Sequence, residues 1–220
     1  MIVKLMRPKK PKPSLMAWPS LLLLAPGIIL FLTGCGLSKP SPIIRSFALE
    51  APGPDNIALI QTKGRPITIE ITNVGVSSEC ESSKLVYKIS RNEMVEDFYS
   101  QLTGLPARVT ADETARWLEA YGGNIKTQRT SSLKNPDYAL DLFLTSFHGD
   151  LSQSPSMAIM EMKMTLTKVA GPVVVIAKTY RAQRPFNFTS PELRPELLAQ
   201  NLSLALGDIL SQFLEDFKAN

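Results

Sequence analysis

Side chains able to do chemistry are few in this 220-residue sequence: it holds two cysteines, Cys35 and Cys80, and a single histidine, His148. Cys35 ends the run Leu32-Thr33-Gly34-Cys35, in which two small residues precede a thiol. Such a run leaves little side-chain bulk along the backbone that leads to the thiol. The stretch "SFHGD" sets Ser146, His148 and Asp150 at alternate positions, the residue types of an acyl-transfer triad. Residues two apart on one extended segment do not converge as a triad must, so His148 is read as a solvent-facing residue at a strand end. Zinc needs clustered Cys and His ligands, and the spacing here supplies none. Asp141 and Glu161 fall inside alternating stretches, where an outward-facing carboxylate is expected. Gly122-Gly123 lacks the lysine of a phosphate loop. No catalytic residue, metal site or cofactor is assigned, and the chain is expected not to be an enzyme; a lipid-anchored hydrolase using His148 is the enzymatic alternative.

The surroundings of Cys35 decide how it is read. Lys4, Arg7, Lys9, Lys10 and Lys12 precede any acidic residue, and Pro13 to Ser38 carries no charge. The densest apolar run, Leu21 to Leu32, is 12 residues long, the length of a secretory signal core and short of the roughly 20 residues that span a bilayer. At the end of this pattern Leu32 to Cys35 looks like a bacterial lipobox. Residues 1–34 are then a lipoprotein signal peptide, Cys35 is the lipidation site, 35–42 is a lipidated tether and 43–220 is one folded domain. A retained single-pass anchor is the alternative. Cleavage removes the five basic residues and takes the formal charge from +4 to −1, so the basic balance belongs to the signal and gives no argument for nucleic acid. Cys80 is left without a disulfide partner and is read as a loop cysteine with no role. Lipidation ties the chain to a membrane surface without crossing it, and Gly36, with no aspartate after the cysteine, resembles sorting to the outer membrane, facing the periplasm.

The elements around these residues follow from periodicity. Alternation of period two marks strands in "IIRSFALE", "PITIEITN", "KLVYKIS", "YALDLFLTSF", "MAIMEMKMTLTK" and "GPVVVIAKTYRAQ". The last two should form a hairpin across Val169 to Pro172. "YALDLFLTSF" places Phe143 and Phe147 behind Tyr138, Leu140, Leu142 and Leu144, which suggests a strand covered on both sides. Met160, Met162 and Met164 share one face, either as core or as the lining of an apolar groove. "NEMVEDFYSQL" reads as a short helix. Thr110-Ala111-Asp112-Glu113 fits a capping box that opens a second helix, stopped by Gly122-Gly123. A third helix runs from about Pro195 to Lys218 with a wide apolar stripe. The expected fold is α+β: a single, largely antiparallel sheet with a few helices packed against it, including a long C-terminal one.

Three stretches, "SSKLVYK" at 82–88, "EDFYSQ" at 96–101 and "PARVTADETARWL" at 106–118, follow a lipobox and an early "RSFALE" strand. In that order they resemble the ABC-type transport auxiliary lipoprotein family, the group of the paraquat-inducible lipoprotein C-like proteins. The clearest residues are Leu85, Val86, Tyr87, Phe98, Tyr99, Arg116, Trp117 and Leu118. Phe47 stands where the family often has tyrosine. The resemblance implies a non-enzymatic lipoprotein facing the periplasm from the outer membrane. Its partners would be a mammalian-cell-entry type protein and an ABC permease and ATPase that move lipid between membranes. Trp117 and Tyr121, one helical turn apart, are either core or an interface anchor. Relatives that form rings admit a homo-oligomer. A lipid-binding carrier or assembly lipoprotein working without an ABC transporter is the alternative, with the methionine face and the C-terminal stripe as its groove.

Overall fold

The computed structural model describes residues 43–54, 65–128, 135–187 and 194–219. The signal, Cys35 and the tether lie outside the described residues. In chain order the elements are β1 (Arg45–Phe47), β2 (Ile67–Val76), a 3-10 turn (Ser78–Cys80), β3 (Lys84–Ser90), β4 (Glu93–Leu102), α1 (Pro106–Tyr121), β5 (Ile125–Gln128), β6 (Tyr138–Asp150), β7 (Ser156–Lys168), β8 (Val173–Phe186) and α2 (Pro195–Ala219).

All eight strands belong to one mixed sheet, so the α+β expectation holds. Its longest ladders, β6 with β7 and β7 with β8, are antiparallel, and the expected hairpin joins β7 to β8. One edge of β6 is shared in turn by two strands. β2 runs parallel along Tyr138 to Leu144, and β3 takes over at Gly149 and Asp150. The 3-10 turn bridges the handover, where the Ser77 amide donates to the Leu144 carbonyl at 2.9 Å and the Ser77 hydroxyl to the Thr145 carbonyl at 3.0 Å.

A bulge in β6 between Leu144 and Ser146 changes which side chains face the core. Phe147 turns inward and is buried, while Phe143 remains 43% exposed on the opposite face. β6 is therefore not covered on both sides at Phe143. The exposed ring instead lies across Gly75, its cross-strand neighbour. A Cβ at Gly75 would sit 2.6 Å from the Phe143 ring, so only glycine admits this contact.

Inward alternation supplies the core. Leu140, Leu142 and Leu144 of β6 pair across from Leu166, Met164 and Met162 of β7, and all are buried. α2 lays Leu198, Leu202, Ala205, Leu206, Ile209, Leu210 and Phe213 over them, as a wide apolar stripe requires. The three methionines are fully buried beneath the helix, so they line no open groove and the carrier reading loses its motivating surface. Ion pairs fix the helix on its polar flanks. Arg184 of β8 meets Asp208, and Lys178 donates to Asp216 at 2.8 Å, where the Tyr180 hydroxyl also donates at 2.7 Å. Lys178 and then Tyr180 hold the Asp216 carboxyl below its usual range.

Two local expectations change. Residues 93–102 are a strand, β4, returning antiparallel to β3 across Arg91 and Asn92. Between Lys84↔Gln101 and Val86↔Glu96 the partner strand carries extra residues, and this bulge at Asp97 to Ser100 breaks the alternation. Met94, Val95, Phe98, Tyr99 and Leu102 thereby fall at a helix-like spacing while lying in a strand. With β4 and the short β5 added, the six expected strands become eight. The second change concerns α1, which starts four residues upstream of the capping box. Pro106 at the first helical position sets its entry, and the Leu105 carbonyl accepts from the Arg108 amide at 2.9 Å and the Val109 amide at 3.0 Å. Thr110 is buried inside the helix rather than capping it. The Gly122 stop holds, with its amide donating to the Leu118 carbonyl at 2.8 Å.

Candidate functional site

His148, Ser146 and Asp150 share one strand, and their carboxylate is already committed. Asp150 Oδ1 accepts from the Ser152 amide at 2.9 Å and hydroxyl at 2.6 Å, and Oδ2 from Gln153 at 3.3 Å. Burial alone would raise the Asp150 carboxyl, but the Ser152 contacts and Lys88 outweigh it and hold it low. His148 is not solvent-facing: it is 8% exposed, and burial pushes its imidazole below the ordinary range. Its register sets it opposite the buried Ile159, with the charges of Asp150, Lys88, Glu79 and Arg181 acting on it. Cys80 is likewise no loop thiol. It is buried in the core cluster, 3.5 Å from the Ser77 hydroxyl, and burial raises its pKa. Asp141 accepts from Thr72 at 2.5 Å and Asn73 at 2.8 Å, and Glu161 accepts from Thr145 at 2.9 Å. These are ordinary cross-strand contacts on the outward face. Among the described residues no group of three or more His, Cys, Asp or Glu is placed to hold a metal ion, and no helix is long and apolar enough to cross a membrane.

The stretches that carried the family resemblance divide into two groups. "PARVTADETARWL" builds a clamp. After β1 the chain passes as a strap, residues 48–52, between α1 and α2. Glu113, nearly buried, accepts from the Ala51 amide at 2.5 Å and pairs with Arg116, whose guanidinium also donates to the Ala51 carbonyl at 3.3 Å. Trp117, fully buried, donates its indole N–H to the Pro52 carbonyl at 2.7 Å. From the other side Ser203 accepts from the Glu50 amide at 3.2 Å. At Gly207 of α2 a Cβ would come within 3.0–3.2 Å of Pro52, so the missing side chain lets the helix close on the strap. Trp117 is therefore core, stacked at a tilt with Tyr121 at 5.3 Å between ring centroids. Sequence reasoning missed Glu113 as the clamp's centre, because the residue fitted a capping box equally well.

"EDFYSQ" does the reverse. Phe98 is 66% exposed and Tyr99 45%. The two rings meet edge to face at 5.1 Å, and the Asp97 carboxylate accepts from the Tyr99 amide at 2.9 Å, which fixes the bulge that carries them. Lys84 from β3 lies 5.2 Å from the Phe98 ring centroid while donating to Glu96 at 3.0 Å, and this contact holds the Glu96 carboxyl low. β1 covers β4 only along Ser100 to Leu102, in parallel register with Arg45 to Phe47, and Arg45 pairs with Glu196 at the start of α2. Ile43 and Ile44, directly before β1, are 83% and 54% exposed, and Met94 and Val95 farther along the hairpin are also exposed. This apolar edge is the candidate functional surface, and the arrangement suits binding rather than bond chemistry.

Neither a protein-family model nor a curated protein matches the sequence. Among solved structures, protein XCC0632 from Xanthomonas campestris, of the DUF330 family model, superposes with a TM-score of 0.64 at 17% identity, covering 77% of this chain and 92% of that one. An uncharacterized protein superposes at 0.63 with 9% identity over 80% of this chain and 99% of its own. A PelC dodecamer from Paraburkholderia phytofirmans overlaps more loosely, at 0.40 with 12% identity over 73% and 93%. What this chain has in common with the first two is the fold: an α+β domain of the kind found in the DUF330 protein.

Proposed function

We propose that this chain is a non-enzymatic envelope lipoprotein, anchored through Cys35 to the outer membrane and facing the periplasm, that serves as an auxiliary component of an ABC transport system with a mammalian-cell-entry type partner. The observation carrying this reading is a lipobox eight residues before a domain whose fold is shared with a DUF330 protein over 92% of that protein's length. The chemistry of the domain supports the same class. Among the described residues Cys80 and His148 are buried, Asp141, Asp150 and Glu161 are engaged by neighbouring strand and turn residues and Glu113 holds the strap, while the apolar edge is suited to another surface. Lipid movement between membranes is the process such a system serves.

Purification of the full-length chain from gently solubilised envelopes tests the reading. Recovery of an ABC permease, its ATPase and a mammalian-cell-entry type protein is expected. Their consistent absence, under conditions that retain other envelope complexes, would overturn it.

A further inference from the structure

We infer that the apolar edge formed by Ile43, Ile44, Phe98 and Tyr99 rests in the interfacial layer of the bilayer that carries the protein. The inference rests on the Cys35 anchor proposed above. Because β1 runs parallel to β4 with Arg45 beside Ser100, the two residues that lead into β1 emerge next to the Phe98–Tyr99 bulge. The chain therefore enters the fold at its most exposed apolar point. From Cys35 to Ile43 is eight residues, which even fully extended reach no more than about 29 Å. The edge is held within that distance of the acylated cysteine, so the bilayer surface is the apolar phase always within its reach.

Residue types agree with that occupant. Exposed sheet edges are ordinarily blunted by charge, proline or a bulge; this one has a bulge with Glu96 and Asp97 beside it, yet it still presents two exposed aromatic rings. Tyrosine at the water–lipid boundary keeps its ring in the apolar layer and its hydroxyl wet. Lys84 beside Phe98 and Arg45 beside Phe47 at 5.5 Å are long enough to place their charges at headgroup level while their stems stay apolar. Elsewhere on the sheet, the surface around Thr72, Asp141 and Lys163 offers polar side chains with Phe143 as the exception. Phe143, folded onto Gly75, is thus an exposed ring away from the proposed contact and a natural control.

The test uses the full-length chain recovered from envelope membranes and reconstituted into vesicles of phosphatidylethanolamine and phosphatidylglycerol, with and without brominated acyl chains. Phe98→Trp and Phe143→Trp are compared in a Trp18→Phe background, with that parent chain, whose Trp117 is buried, as the blank. The expected result is quenching of the Phe98→Trp signal by bromolipid roughly threefold or more beyond that of the Phe143→Trp protein, as interfacial burial requires. Equal quenching of the two overturns the inference. So does a Phe98→Trp emission that follows protein density in the vesicle and ignores bromine, since a second copy would then cover the edge. The mass of the N-terminal peptide from the same samples reads the anchor separately. An unmodified Cys35 defeats the lipoprotein reading, while the quenching ratio still decides whether this edge meets lipid.

Discussion

The strap and the β3–β4 hairpin lie on either side of β1, and the fold treats them oppositely. The strap is held through its backbone: Glu113, Arg116 and Trp117 bind Ala51 and Pro52, and Gly207 leaves room for it. Along the hairpin the bulge at Asp97 turns Phe98 and Tyr99 outward. A polar backbone segment crossing a core must have its groups satisfied, so the strap's residues are dictated by folding. Nothing in folding dictates two exposed rings on an edge strand. Sequence features of similar prominence thus separate into those the domain needs to exist and those it offers to something else.

Removal of Trp117 should break the strap side most severely. Trp117→Ala deletes a fully buried ring and leaves the Pro52 carbonyl without its donor, and a loss of about 3–5 kcal/mol is expected from the cavity. Urea denaturation of the purified protein measures it. A loss below about 1 kcal/mol would mean that the strap is held by something other than this indole.

Glu113→Ala comes next. It orphans the Ala51 amide and removes the carboxylate partner of Arg116, and about 1–3 kcal/mol should be lost. Glu113→Gln keeps an acceptor for the amide and should recover part of that loss. If the two variants are equally unstable, charge and not hydrogen bonding closes the clamp.

How much of this contrast is legible in the sequence depends on what each pattern can encode. Ile69, Ile71 and the methionines of β7 read correctly because alternation of period two follows directly from strand geometry. The C-terminal helix reads to within a residue or so of its ends. β4 misreads because its bulge mimics helical spacing, and a bulge is set by pairing with β3, which lies outside any local window. Glu113 misreads for a related reason: its partner, Ala51, is 62 positions away. His148 reads as solvent-facing because its burial is set by tertiary neighbours, Ile159 opposite it among them, that no local pattern encodes. Phe98 and Tyr99 are visible as residues, but their exposure follows from β1 covering only the last three residues of β4.

Between the two regions lies the seam where β3 joins β6 at Gly149 and Asp150, beside His148. Burial lowers the His148 pKa in the folded chain, Asp150 and Glu79 oppose that, and Lys88 and Arg181 add to it. The unfolded chain therefore takes the proton first. Stability present at neutral pH should fall as pH drops through the ordinary imidazole range, and the fall should level off below the folded value. Asp150, held low in the fold, adds its own loss at more acidic pH, beginning as pH falls through the usual carboxylate range and ending below its lower folded value. Denaturation midpoints across this range should show a slope that His148→Gln flattens, and hydrogen exchange should report opening at β3 before the strap. An unchanged slope in the variant would remove His148 from the account.

The smallest expected effect on stability is the most informative about the hairpin. Phe98→Ser with Tyr99→Ser removes two exposed rings and the contact of Phe98 with Lys84, and Lys84 keeps its bond to Glu96. A surface cation–π contact is worth about 0.5–1 kcal/mol, and replacing exposed apolar groups otherwise moves stability by about 0.5 kcal/mol or less. The double variant should therefore unfold close to the parent in the same urea series that exposes Trp117→Ala. A cost above about 2 kcal/mol would show that the rings hold β4 in place, since two surface side chains with no packing role do not carry that much. The near-neutral result instead leaves binding as their use, because it separates their chemistry from that of the strap by the measure on which the strap depends.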